Sequence, residues 1–83
     1  MKFTVISEIA NIQLIAKGNG VDIRHYLNQT YASGRRVHWR KLKGRATVEY
    51  INGEVCKVEL HWFEASGISR KDEKDKRKLR RIA

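Results

Sequence analysis

Apolar and polar residues alternate along most of the second half of the chain, and this period of two predicts β-strands. Over Arg36–Leu42 the alternation sets Val37 and Trp39 on one face and His38 and Arg40 on the other. Over Arg45–Ile51 it sets Ala46, Val48 and Tyr50 against Arg45, Thr47 and Glu49, and over Glu54–Phe63 it gathers Cys56, Val58, Leu60 and Trp62 on one face. The turn between the last two segments decides their register. A two-residue loop would place Val48 opposite Lys57, mixing buried and polar faces. A three-residue loop, Ile51-Asn52-Gly53, places Val48 opposite Cys56, Ala46 opposite Val58 and Arg45 opposite Glu59. The apolar faces then coincide, and Gly53 falls where a turn followed by a bulge needs a left-handed residue. The pattern therefore predicts the three-residue loop.

The first half is mixed. Lys2–Ile6 reads as a strand from Phe3, Thr4, Val5 and Ile6. Ala10–Lys17 also reads as a strand, because Ala10, Ile12, Leu14 and Ala16 share one face whereas a helix would scatter them. Val21–Ala32 carries Ile23, Tyr26, Leu27, Thr30 and Tyr31 on one helical stripe, with Gly34 just past its end. Ser69–Ile82 is predicted to be a second helix. Ser69 and Asp72 form a capping-box-like pair, and Asp72–Lys76 and Glu73–Arg77 are favourable four-apart pairs. Only Leu79 and Ile82 are apolar there, so such a helix buries little. The expected fold is α+β and occupies residues 1–83 as a single domain. It has an antiparallel sheet of four to five strands, one packed helix (21–32) and a charged C-terminal helix (69–82). Trp39, Val48, Tyr50, Cys56, Val58, Leu60 and Trp62 are expected to share one core.

Charge changes this picture more than composition does. The formal net charge is +9, and the excess sits in two blocks. Residues 35–50 carry six basic and one acidic residue, and residues 69–83 carry eight basic and three acidic, while residues 51–68 are net −2. Two concentrated blocks point to a footprint on a phosphate backbone. The nucleic-acid contacts are expected from Arg36, Arg40, Lys41, Lys43 and Arg45 in the first block, and from Arg70, Lys71 and Lys74 in the second. An acidic protein partner, or a homodimer across the sheet, would also suit a basic surface. The single cysteine, Cys56, excludes an internal disulfide and reads as a small buried hydrophobe. Together with the absence of a secretory signal, this points to a cytoplasmic protein. The apolar stretch Ile9–Ala16 is too short to span a bilayer, so no membrane partner is expected.

Two dipeptides repeat, His38-Trp39 and His61-Trp62. If each tryptophan turns inward, both imidazoles share the polar face with Arg40, Arg45, Lys57 and Glu59. Two histidines beside cations could cleave RNA without metal, one as base and one as acid, so His38 and His61 are the candidate catalytic pair. No metal or cofactor is expected. His25, His38 and His61 lack ligand spacing, and Gly18-Asn19-Gly20 lacks the spacing of a nucleotide-binding loop and reads as a turn.

Ser69-Arg70-Lys71-x-x-Lys74 resembles the S-K-K-x-x-K start of the last helix in double-stranded-RNA-binding domains. The predicted order over residues 21–82, helix, three strands, helix, is similar, as is Thr47–Gly53. The resemblance implies RNA recognition by shape and phosphate. Apart from the resemblance, the free amides of a helix start at Ser69, with Arg70, Lys71 and Lys74 beside them, would meet successive phosphates. The chain departs from that pattern in its long segment before Ser69, in its extra N-terminal hairpin, and in having Asp75, Lys76, Arg77 and Lys78 where the family has packing alanines. With Ala10–Lys17 as a helix, the order would instead be similar to the RelE-type RNase toxins, which Leu42-Lys43-Gly44-Arg45 also resembles. The sequence thus predicts a small basic nucleic-acid-binding protein, RNA favoured. A metal-independent RNase and a module for an acidic protein are the alternatives.

Overall fold

The turn at Ile51-Asn52-Gly53 organises the molecule. In the computed structural model, which describes residues 2–17 and 20–83, Tyr50 N–H donates to the Glu54 carbonyl at 2.8 Å and Gly53 N–H to the Tyr50 carbonyl at 2.9 Å. Gly53 has φ of 90°, the left-handed value that a side chain resists. Strand β3 (Arg40–Tyr50) therefore pairs with β4 (Val55–Ala65) in the expected register, Val48 opposite Cys56, Ala46 opposite Val58 and Arg45 opposite Glu59. The N-terminal strands β1 (Phe3–Val5) and β2 (Ala10–Lys17) both pair with the free side of β3, β1 along Val48–Tyr50 and β2 along Arg40–Arg45. Ala10–Lys17 is thus a strand, not a helix.

The even-numbered residues of β3 and β4 face inward. Leu42, Ala46, Val48 and Tyr50 meet Cys56, Val58, Leu60 and Trp62 in one buried cluster. Phe3, Val5 and Ile9 close this inner face from one side. The sheet curls so that the other side is closed from two strands away: Tyr50 Oη donates to Asp75, and Lys78 Nζ lies 4.7 Å from the centre of the Tyr50 ring. Burial and the hydrogen bond to Asp75 both push the Tyr50 phenol well above its ordinary pKa. Gly44 stands on the inner face where the β1–β2 connection crosses. A Cβ there would lie 2.5 Å from Ile9 Cγ2 and 3.0 Å from the Ala10 carbonyl oxygen.

Helix α1 (Val21–Tyr31) occupies the predicted stretch and packs on the opposite, outer face at one end of the sheet. Leu27 is fully buried there with Trp39, Phe63 and Ala65, and Tyr31, Val37 and Ile68 border them. Trp39 Nε1 donates to Asn28 Oδ1 at 2.9 Å, which ties the helix to the segment before β3. The two tryptophans therefore do not share one core. Trp62 lies in the inner cluster and Trp39 under the helix. The apolar positions change face between Trp39 and Leu42, and again between Trp62 and Phe63, so β3 and β4 bury one face along their length and both faces near the helix.

The largest correction concerns residues 69–82, which do not form a helix. The chain turns at Ser66-Gly67 and returns as strand β5 (Ile68–Arg81) against β4, with Ala65 opposite Ile68. A helix here would bury only Leu79 and Ile82 and would leave β4 as an open edge. As a strand, the segment satisfies the backbone groups of β4, the strand with the most buried residues. β5 is irregular in a regular way. The ladder slips at four places, and the residues facing Phe63, His61, Glu59 and Lys57 are Lys71, Lys74, Arg77 and Arg80. A residue is extruded in each interval, so the outward period is three rather than two. Asp72, with φ of 56°, lies in one such interval and Lys76 in another. The capping pair at Ser69 and Asp72 and the four-apart ion pairs accordingly have no helix to stabilise.

Candidate nucleic-acid interface

Cross-strand partners share a face, so the two ladders of β4 define rows across the outer surface of the sheet. Lys41, Phe63 and Lys71 form the row beneath α1. Lys43, His61 and Lys74 follow, then Arg45, Glu59 and Arg77, then Thr47, Lys57 and Arg80. The two basic blocks of the sequence thus flank one strand. The strands that carry their cations stand about 9–10 Å apart across β4, given a strand spacing of about 4.8 Å. Glu59 is the one carboxylate in these rows. Its Oε2 lies 3.0 Å from His61 Nε2. That hydrogen bond holds the Glu59 carboxyl below its usual range, and Lys43 and Arg77 pull it down further.

Of the residues expected from sequence, Lys41, Lys43, Arg45, Lys71 and Lys74 lie in the rows. Arg40 stands opposite Glu64 at the helix end of the sheet and is bound to it at 3.5 Å, and exposed Arg70 pairs with Glu73 at 3.2 Å. Arg36 is elsewhere, in a groove between α1 and the segment before β3. This groove has a volume of about 530 Å³ and is also lined by Arg24, His25, Asn28 and His38. Lys57, Arg77 and Arg80 also stand in the rows, although the sequence reading does not count them among the nucleic-acid contacts. Reading residues 69–82 as a helix hides Arg77 and Arg80. The Ser66-Gly67 dipeptide between two strand-like segments is the hairpin signal that could have found them.

His38 and His61 are not brought together. His38 lines the groove beside α1, whereas His61 lines a separate cavity on the outer face. Lys43 is the residue opposite His61. An extended chain from Lys43 back to His38 covers on the order of 16 Å, too far for an acid and a base to share one phosphate. Cys56 is buried in the inner core, with a weak sulfur contact to Glu54 at 3.8 Å. Among the described residues, no three His, Cys, Asp or Glu side chains are grouped so as to hold a metal, and no helix is long and apolar enough to cross a membrane. Gly18 and Asn19 of the predicted turn lie outside the described residues.

No protein-family model matches the chain, and neither curated proteins nor solved structures show a significant similarity to it.

Proposed function

We propose that this protein binds nucleic acid through phosphate contacts on the outer face of its sheet. The observation that carries the reading is the set of rows flanking β4, where cations from β3 and β5 line both sides of one strand and Glu59 is the only carboxylate among them. Such a surface neutralises phosphates and releases counterions without reading bases, so it favours polyanions irrespective of sequence. The Ser69–Lys74 motif lies on strand β5 and not at a helix start, so it gives RNA no advantage over DNA, and the test below compares the two. No cleavage step is assigned, since the two candidate imidazoles line different cavities.

The test is the salt dependence of binding to structured RNA, single-stranded RNA and duplex DNA. Affinity should fall steeply with salt for the wild type. Replacing Lys43, Lys57 and Arg77 together with glutamine should weaken binding to all sequences alike. The log–log slope should fall by about 0.9 for each duplex phosphate that is no longer neutralised, or about 0.7 for single strands. Salt-independent binding, or a triple variant that binds like wild type, would overturn the proposal. So would displacement of RNA by an acidic polypeptide of equal charge and length at the same concentration as by RNA itself, which would make the surface a sink for any polyanion.

A further inference from the structure

The rows of cations do not end alike. At the end away from α1 the outer face is open. At the other end α1 packs over Phe63, and at the foot of the helix lies a cavity of about 200 Å³. Lys41, Lys74 and Lys76 line it together with His61 and Asp72, and Gly20 and Ile23 bring the first turn of α1 to its wall. Gly20 has no side chain to cap the helix, and no side-chain cap is made, so the amide end of α1 adds positive potential to the lysines, offset in part by Asp22 in the same turn. Buried polar atoms normally have partners, yet His61 Nδ1 is buried and has none among the described residues, although Nε2 is engaged by Glu59. The bulges of β5 contribute directly, because Asp72 and Lys76 lie in the extruded intervals rather than in the outward rows.

We infer that this cavity receives the terminal phosphate of a nucleic-acid strand laid along the outer face. The inference rests on the proposed nucleic-acid reading and adds a polarity to it. A strand running along the rows meets α1 as a wall, and its interior phosphodiesters, flanked by sugar on both sides, suit the open rows. A strand end suits an enclosed hollow. Three lysines, offset in part by Asp72, match the nearly double negative charge of a phosphomonoester better than the single charge of a diester. The shared chemistry is an end phosphate, whether 5′ or 3′.

Three oligonucleotides of one sequence test this, bearing a 5′-phosphate, a 3′-phosphate or hydroxyls at both ends. One phosphorylated form should bind about tenfold more tightly than the hydroxyl form (about 1.4 kcal/mol), and the identity of that form names the end. Replacing Lys74 and Lys76 together with glutamine should abolish the preference, while the Lys43, Lys57 and Arg77 variant should weaken all three and keep it. In a second measurement, inorganic phosphate should shift the imidazole resonances of His61 more than those of His38, against chloride at equal ionic strength. Equal, salt-sensitive affinity for all three oligonucleotides would overturn the cavity and leave the outer face standing. Failure of all three to bind would overturn both. A phosphate preference that survives the Lys74 and Lys76 change, or a phosphate shift confined to His38, would also overturn the cavity.

Discussion

β3 and β4 present two faces built from alternate residues of the same strands, and the faces have opposite compositions. The inner face holds Leu42, Ala46, Val48, Cys56, Val58, Leu60 and Trp62, all nearly closed to solvent. The outer face holds Lys41, Lys43, Arg45, Lys57, Glu59 and His61. With so little volume to bury in a small domain, most of the buried residues lie on one side of the sheet, the smaller cluster under α1 apart. The other side is then free to be chosen for charge. Changes on the inner face should therefore unfold the protein, and changes on the outer face should alter binding while leaving the fold in place.

The sharpest way to break this contrast is at Trp62, which is 1% exposed and packs in the inner cluster. Trp62→Ala should cost about 3–5 kcal/mol, enough to leave the domain largely unfolded at room temperature, as circular dichroism would show. Gly44→Ala comes next. The added methyl meets Ile9 and the Ala10 carbonyl, and overpacking of this kind costs about 1–3 kcal/mol, read as a lower urea midpoint.

Tyr50→Phe should cost about 1 kcal/mol, because Asp75 loses its donor but can rehydrate at the sheet edge. It also has a pH signature. The folded state raises the Tyr50 phenol above the ordinary tyrosine value of about 10. The stability contributed by the neutral phenol is present in full below that unfolded value and is lost as pH rises towards the folded one. Wild type should therefore lose stability above about pH 10, and Tyr50→Phe should lose less of it over the same range. The smallest expected effect is the most telling one. The Lys43, Lys57 and Arg77 triple replacement by glutamine should change stability by only about 0.5 kcal/mol per site or less, measured by thermal melting, while weakening nucleic-acid binding strongly.

The inner face is legible in the sequence because β3 and β4 keep a strict period of two, and because Ile51-Asn52-Gly53 allows only one register that superimposes their apolar residues. The Leu27 stripe of α1 is legible for a similar reason. The second core is harder to see. Trp39 and Phe63 sit on the face opposite to Leu42 and Trp62, and alternation within one segment does not announce that the buried side has changed. β5 reads as a helix from its capping-box-like Ser69–Asp72 pair and its four-apart ion pairs, and the spacing of its charges does not correct that reading. Its cations recur at Lys71, Lys74, Arg77 and Arg80, and a spacing of three lies closer to the helical period than to that of a flat strand. Bulges generate that spacing in an extended chain. Several of the basic residues singled out in the two blocks therefore share one face, but the second block runs along a strand rather than standing on a helix end. The cavity at the foot of α1 is not foreseeable, because Lys76 and Asp72 reach it only through those bulges.

The most direct test of the outer face as the nucleic-acid footprint is to follow individual lysines. Reductive methylation with ¹³C-labelled formaldehyde keeps each lysine charged and gives each a separate methyl signal. On titration with RNA at low salt, the signals of Lys43, Lys57, Lys71 and Lys74 should move together. Those of Lys2, in the chain before β1, and of Lys78, which lies over Tyr50 on the inner side of the sheet, should stay in place. Movement of Lys2 and Lys78, with the outer-face lysines unchanged, would contradict the account.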